Sequence, residues 1–395
     1  RDDRLQVDIG GGVRGEFQFA NNQTAIPGST TLSQSNGLAS FLLDAPSLVQ
    51  RGLAGATPSF LTTQLFTYFQ DKWQVNKKLT LDLGLRHEFY PPGTPGKPGG
   101  FSNYDANTNS LIVAGVGGNP MNLGRKTYYT GFAPRLGFAY RFDSKTVVRA
   151  GFGISWTPFP NDKYAWDNYP VKQVNVYSAL TAFGQAQTAP GVYGSLAAGF
   201  PAAQPAVIPT NGIIPANTPY LLSQLINSAI PLDYREDYIE SWNVAVQRQL
   251  PKNFTIEAAY VGNHTVRAPV TYDLNASMTF NSGAAGRPLY QKFGKNTDVL
   301  QRYAGYSNNY NSLQVKFDRR FSGGFLLTTA YTYGKALGYS GDVENLWNYI
   351  QPRRSYARLF FDRSHSFVQS YLYELPFGKG KPWLQTGVGR WVLGH

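Results

Sequence analysis

At 395 residues the chain can build one large folding unit or two ordinary ones, and with 42% hydrophobic, 15% aromatic and only 15% charged residues it is richer in rings and poorer in ions than a typical water-soluble enzyme. No stretch approaches the ~18–20 continuous apolar residues that a membrane-crossing helix needs, which excludes a helical membrane protein, whereas a mean hydropathy of -0.31 is blind to membrane strands because their alternate side chains face water. The absence of cysteine excludes a disulfide scaffold and a thiolate metal site. The net charge of +12 is spread along the chain and not gathered in one basic run, which argues against nucleic acid and for an anionic membrane surface.

The opening residues Arg1-Asp2-Asp3-Arg4 lack the apolar run of a signal peptide and an initiating Met, so the reading expects a piece of a longer protein. Gly10-Gly11-Gly12-Val13-Arg14-Gly15 lacks the Lys-Ser/Thr of a phosphate loop and reads as turn or strand glycine. The first clear element is at 79–90, where Leu79, Leu81, Leu83, Leu85, His87 and Phe89 alternate with Thr80, Asp82, Gly84, Arg86, Glu88 and Tyr90. A period of two is that of a β-strand. At 147–157, Val148, Ala150, Phe152, Ile154 and Trp156 alternate with Val147, Arg149, Gly151, Gly153 and Ser155. Two further pairs repeat the pattern, 242–250 with 254–261 and 313–321 with 325–333. Each apolar face runs for about nine residues, the length with which a tilted strand crosses a bilayer.

Short connections at 75–78, 143–145, 251–253 and 322–324 consist largely of turn-forming residues, and long Gly/Pro/Asn-rich ones fill 91–131, 158–237, 263–309 and 338–363. Short and long connections in alternation are those of an antiparallel transmembrane β-barrel with tight periplasmic turns and large extracellular loops. The expected fold is therefore all-β, with about 10–11 meandering strands, the last residues Leu393-Gly394-His395 falling inside a further strand. Arg248 and Arg319 lie on otherwise apolar faces two or three residues from a short turn, where a guanidinium can snorkel to the headgroups. Trp73 and Phe377 on the short-turn side, with Phe89, Trp156, Trp242 and Tyr333 toward the other rim, stand where two aromatic girdles are expected.

These residues resemble the barrel portion of TonB-dependent receptors of the Oar-like type. The resemblance rests on Asn36-Gly37-Leu38-Ala39-Ser40-Phe41-Leu42-Leu43, Tyr68-Phe69-Gln70-Asp71-Lys72-Trp73, Leu79-Thr80-Leu81-Asp82-Leu83-Gly84-Leu85-Arg86-His87-Glu88 and Phe132-Ala133-Pro134-Arg135-Leu136-Gly137. It continues through Trp242-Asn243-Val244-Ala245-Val246-Gln247-Arg248-Gln249-Leu250, Ala259-Tyr260-Val261-Gly262, Asn309-Tyr310-Asn311-Ser312-Leu313-Gln314 and Asp362-Arg363-Ser364-His365. What it implies is that residues 1–395 form part of a barrel that resembles the 22-stranded transporters with a plugged lumen, without the plug and the terminal strands. It also implies TonB-dependent passage of a solute or peptide across the outer membrane, with outer-membrane lipid and, through the plug region, the TonB complex as partners. A surface-exposed adhesion or structural barrel and a soluble propeller-like binding protein are the alternatives.

By the alternation, Asp82, Arg86, Glu88, Arg135, Arg141, Arg149, Glu257, Lys316, Asp318 and Arg320 are candidates to face the lumen, either along a substrate path or, more plainly, as wall-side ion pairs wetted by lumen water. The loop aromatics Tyr164, Trp166, Tyr169, Tyr177, Tyr220, Trp347 and Tyr349 either contact a ligand or pack on one another over the barrel mouth. The segment 201–219, with repeated Ala and Pro, reads as an irregular cap. His87, His264, His365 and His395 have no metal-ligand spacing, and Ser155, Ser241 and Ser364 have no nucleophile-elbow context, so no cofactor, metal site or catalytic centre is expected. Asp233, Glu236 and Asp237 read as a solvated loop ahead of a surface calcium site.

Overall fold

The computed structural model describes residues 14–26, 34–54, 60–158, 168–179, 187–189, 192–202, 207–216, 227–339, 346, 348, 350–378 and 380–393. Nine long strands carry the alternation: β1 Leu65–Gln74, β2 Leu79–Phe89, β3 Phe132–Arg141, β4 Thr146–Trp156, β5 Tyr238–Gln249, β6 Phe254–Asp273, β7 Val299–Ser322, β8 Phe325–Gly338 and β9 His365–Tyr373. They form one antiparallel meander in chain order. Asn227–Ala229, parallel to the start of β7, and Ala357–Arg358, beside the end of β8, make the sheet eleven-stranded. A propeller consists of separate blades, so this continuous sheet removes that alternative. No helix among the described residues is long and apolar enough to cross a membrane.

Each short turn has its own chemistry. In the β1–β2 turn Asn76 Oδ1 accepts the backbone N–H groups of Lys78 (2.8 Å) and Leu79 (2.9 Å), and in the β3–β4 turn Asp143 Oδ1 accepts those of Lys145 and Thr146 (both 2.7 Å). The β5–β6 turn is a single 3-10 turn with Lys252 and Asn253 at φ 59° and 62°. Gly323 and Gly324 close β7–β8 at φ 60° and 77°, a left-handed pair that matches the twist of the flanking strands.

One row of directly opposed residues runs Trp73, Leu81, Phe138, Ala150, Val244, Tyr260, Leu313, Tyr333. The row climbs away from the short turns by about two residues per hairpin. Trp73 is next to the end of β1, whereas Tyr333 lies well inside β8. With the turns set at one level, two residues at about 3.4 Å each over two strands about 4.8 Å apart correspond to a strand tilt of about 35°, the slant that closing a sheet into a barrel requires.

Two expectations are corrected. The segment 263–309 is not one loop, because β6 and β7 pair through Asp273 and Leu300 and leave only 274–298 as the connection. Apolar alternation fades there while backbone pairing continues, with register shifts between Val266 and Pro269 and Arg267 at φ 60°. The last described residues form a short helix, Gly387–Leu393, and not a strand. Val388, Trp391 and Val392 have the i, i+3, i+4 spacing of a helix, which satisfies its own backbone where a strand needs a neighbour.

The long connections fold together into a cap. Ser102–Asp105, Ser110–Val113 and Ile213–Pro215 form a three-stranded sheet, so the expected irregular segment 201–219 contains a strand. Tyr104, Leu111, Val113, Tyr169, Ile214, Ala229, Leu289 and Val299 share one buried cluster, and Phe60, Phe101, Leu123, Val171 and Ile230 share another. Buried irregular backbone needs partners, and asparagines supply them. Asn168 bonds the backbone of Ser102 and Ser228, Asn103 that of Ile230, and Asn275 the carbonyls of Lys295 and Thr297 and the N–H of Leu289. A second small sheet joins Glu16–Gln18, Leu48–Ala54 and Lys172–Ser178 over Val49 and Tyr177. Leu111→Ala, at a fully buried site, is expected to cost about 2–5 kcal/mol of cap stability. Limited proteolysis should then cut within 91–131 at a protease concentration that leaves the parent intact, with β-sheet circular dichroism unchanged.

Candidate functional site

Opposed residues in an antiparallel pair share a face, so the register sorts every wall residue onto one of two surfaces. Thr80, Asp82, Gly84, Arg86 and Glu88 fall with Arg135 and Arg141 on β3, Arg149 on β4, Glu257 on β6, and Lys316, Asp318 and Arg320 on β7. All ten charged candidates stand on this one polar face.

The structure brings some of them together. Arg149 donates to Gln247 Oε1 (2.8 Å) and lies 3.5 Å from Glu257 Oε2; Glu257 is directly opposite Lys316, whose Nζ is 2.9 Å from Asp318 Oδ2. These groups stand side by side on β4 to β7 near the short-turn end. They are largely exposed, so each pair contributes about 0–1 kcal/mol. At the opposite end Arg86 Nε meets Glu88 Oε1 at 3.3 Å, Tyr90 donates to Glu88 Oε2 at 2.8 Å, and the Arg86 guanidinium lies 4.6 Å above the Phe66 ring.

Between these ends lies a depression of ≈ 460 Å³ lined by Gln70, Asp82, Arg135, Gly137, Gly151, Gly153, Ser155, Ser241 and Asn243 among others. Gln70 donates to Asp82 Oδ1 (2.8 Å). A Cβ on Gly137 would come within 2.9 Å of the Asp82 Cβ, so only glycine lets the two strands keep this spacing with Asp82 in place. Arg135, Arg141 and Arg320 make no ion pair with the described residues.

The other face carries Leu79 to Phe89 in alternation, Leu136, Phe138, Phe152, Ile154, Val244, Val246, Ile256, Leu313, Val315 and Phe317. Trp73, Phe89, Trp156, Trp242 and Tyr333 share it, while Phe377 lies beyond the end of β9 against Trp383. Trp156 donates to the Phe132 carbonyl (3.0 Å), and the Arg267 guanidinium covers the rings of Trp156 and Tyr238 at 5.5 and 5.0 Å. Arg248 reaches Thr146 Oγ1 (3.0 Å) and lies 3.9 Å from Asp143 Oδ2. Asp71, opposite Leu83, and Glu240, opposite Ile154, are the acidic exceptions on this face among the described residues.

Among the loop aromatics, Tyr169 and Tyr177 are buried and offer no ring to a ligand, because Tyr169 fills the cluster around Leu111 and Tyr177 packs against Val49 under the second small sheet. Tyr164, Trp166, Tyr220, Trp347 and Tyr349 lie outside the described residues. Within 233–237, Asp233 is exposed as expected of a solvated loop, whereas Asp237 is buried. Glu236 is half-buried at the base of the cap, where desolvation pushes its carboxyl up against the opposing pull of Arg267 and Arg125. Arg125 is itself buried, held by the Gly93 carbonyl and the Phe101 ring, and drawn down to about 10 by desolvation. Sequence reasoning missed this cluster, since single arginines in Gly/Pro-rich segments carry no periodic signal.

A tilted sheet with one ionic face, one apolar face, short turns at one end and a packed cap at the other is the wall of a membrane β-barrel. The chain belongs to the outer membrane beta barrel domain family, whose model matches residues 1–395, and its place is the bacterial outer membrane. Among solved structures it is similar to the ferripyoverdine receptor of the outer membrane of Pseudomonas aeruginosa (12% identity, 84% of this chain and 27% of that one, TM-score 0.40). It is also similar to the ferric-catecholate import receptor Fiu from K12 E. coli (12%, 80% and 32%, 0.39) and the alcaligin outer membrane receptor FauA from Bordetella pertussis (11%, 84% and 42%, 0.35). The chain thus spans less than half the length of these receptors. No curated protein matches it.

Lys295, in the β6–β7 connection, gives the cap a pH dependence. Its Nζ donates to Asn227 Oδ1 (2.7 Å) and stands 5.4 Å over the Tyr104 ring, and burial draws the ammonium down to about 8. Between pH 8 and the ordinary value of 10.5 the unfolded cap holds a proton that the folded cap has released, so this group makes the cap more stable as pH rises through that window. Protease resistance of 274–298 is expected to rise from pH 8 to 10.5 by more in the parent than in Lys295→Met; equal slopes would show that the lysine contributes nothing.

Proposed function

We propose that this chain is part of the wall of an outer-membrane transporter, its ionic face lining a water-filled lumen and its apolar face meeting lipid. One observation supports this above all: of the charged residues of the apolar face, Glu240, Arg248, Arg319 and Lys335 lie within about three residues of a strand end and Asp71 alone stands opposite a mid-strand residue, whereas those of the ionic face occupy the whole span. A charge at mid-membrane on the lipid side costs about 2–4 kcal/mol, and water in the lumen removes that cost. The glycine-floored depression around Asp82 and Arg135 leaves room beside the wall for a solute or for a segment that fills the lumen.

The finer parts of the reading rest on the sequence resemblance. They are an Oar-like TonB-dependent receptor, a plug that contacts the TonB complex, and a solute or peptide as cargo. This chain is then a partial barrel domain whose wall is completed by further strands. A surface adhesion barrel uses the same wall without uptake.

Two measurements separate these readings. In the full-length protein Val244→Arg should reduce the folded fraction in bilayers by at least about tenfold relative to Asn243→Arg, since Val244 stands mid-strand between Ala150 and Tyr260 and the midplane cost of an arginine falls only on it. Equal urea midpoints for the two variants remove the face assignment. For function, the spent medium of cells with and without the intact gene is compared by mass spectrometry. Selective retention of one class of solutes in the medium of the deletion strain, reproduced by collapsing the proton gradient in the parent, is the expected result. Identical media with reduced surface attachment would sink transport and favour adhesion.

A further inference from the structure

The short-turn end of the apolar face holds a cation that the wall does not neutralise. Arg319 lies near the end of β7, and the register puts its side chain on the apolar face opposite Phe254 and Leu327. Its guanidinium sits between two rings, 5.4 Å from the centre of Phe254 and 5.1 Å from that of Phe325. Phe317 stacks on Phe254 at 5.0 Å, and Tyr373 meets Phe325 at 6.2 Å. Only Nε has an acceptor among the described residues, the Lys252 carbonyl at 3.4 Å, and no carboxylate lies within ion-pairing distance. Arg248, the other arginine described at this end of the face, is different, because Asp143 stands beside it.

The rings hold the guanidinium plane and limit its rotamers, which leaves the two Nη groups as a fixed pair of donors. A rigid fork of this kind matches two oxygens of one phosphate. The adjoining turn adds the exposed Lys252, whose ammonium makes no ion pair with the described residues. The depth fits as well, since aromatic rings and arginines gather where hydrocarbon gives way to headgroups.

Resting on the lumen and lipid assignment above, we propose that Arg319, walled by Phe254 and Phe325 and assisted by Lys252, binds the phosphate of an anionic phospholipid in the leaflet on the short-turn side. The site anchors the β5–β8 part of the wall at a set depth. Charge complementarity selects this occupant. A zwitterionic headgroup brings its own ammonium into a site that already holds two cations, whereas a phosphatidylglycerol brings none.

The test uses the full-length protein folded into vesicles of phosphatidylethanolamine with a minor share of phosphatidylglycerol, transferred to mild detergent and read by native mass spectrometry. One basic residue at an anionic surface corresponds to about fivefold in occupancy, so Arg319→Gln is expected to lower retained phosphatidylglycerol about fivefold. Lys97→Gln, in the cap, should leave it unchanged. Heat-modifiable gel migration reports whether each variant is folded. If Arg319→Gln does not fold, Arg319→Lys, which keeps the charge and loses the fork, is expected to give an intermediate loss, and retention equal to the parent overturns the proposal. Full retention in a folded Arg319→Gln variant also overturns it. So does displacement of the lipid by millimolar inorganic phosphate, which makes the site one for a soluble anion. Failure of the parent to insert into vesicles sinks the lumen and lipid assignment itself, while insertion with unchanged lipid retention sinks only the phosphate site.

Discussion

A peptide N–H or C=O left unpaired in hydrocarbon costs several kcal/mol, and the architecture of this wall answers to that constraint before any other. Every long strand has its hydrogen-bonding neighbour in chain order, and β6 and β7 keep pairing even where their side chains cease to alternate. The tight turns follow from it. Asn76, Asp143, the left-handed Lys252 and Asn253, and Gly323-Gly324 each reverse the chain while sparing the first and last rungs of the ladder. Because side chains alternate strictly, an unbroken ladder also preserves the separation of faces across the whole sheet.

The cap meets the same requirement with different means. Its segments are too irregular to pair in ladders throughout, so Asn103, Asn168 and Asn275 take the place of neighbouring strands and bond backbone groups from segments far apart in the chain. The cost of burying charge at its base is offset by proximity: Glu236 and Asp237 lie among Arg125, Arg267 and Arg302. The wall and the cap are joined through β6, β7 and the Asn227–Ala229 strand, whose residues belong to both.

Within the wall, the sequence was legible to the extent that a side chain's environment alternates. Asp82, Arg86, Arg149, Glu257 and Lys316 could be assigned to one face from spacing, because a one-residue slip would have moved the whole apolar set with them. Their grouping was not legible. That Arg149 meets Glu257 across β5, or that Arg135 has no ionic partner among the described residues, depends on the stagger between hairpins, which no single strand records. The helix at Gly387–Leu393 escaped notice although Val388, Trp391 and Val392 carry its spacing, since a seven-residue segment shows too few repeats to tell period two from 3.6.

By itself, the chain's order of residues determined the strands, their faces, the short turns and the presence of arginines near the turns on the apolar side. These are local matters, set by torsions and by which solvent each side chain meets. Only the tertiary structure decided the tilt of the wall, the folding of the long connections into one buried cap, and the placing of Arg319 between Phe254 and Phe325. Those depend on contacts between segments distant in the chain, and such contacts leave no period in the sequence.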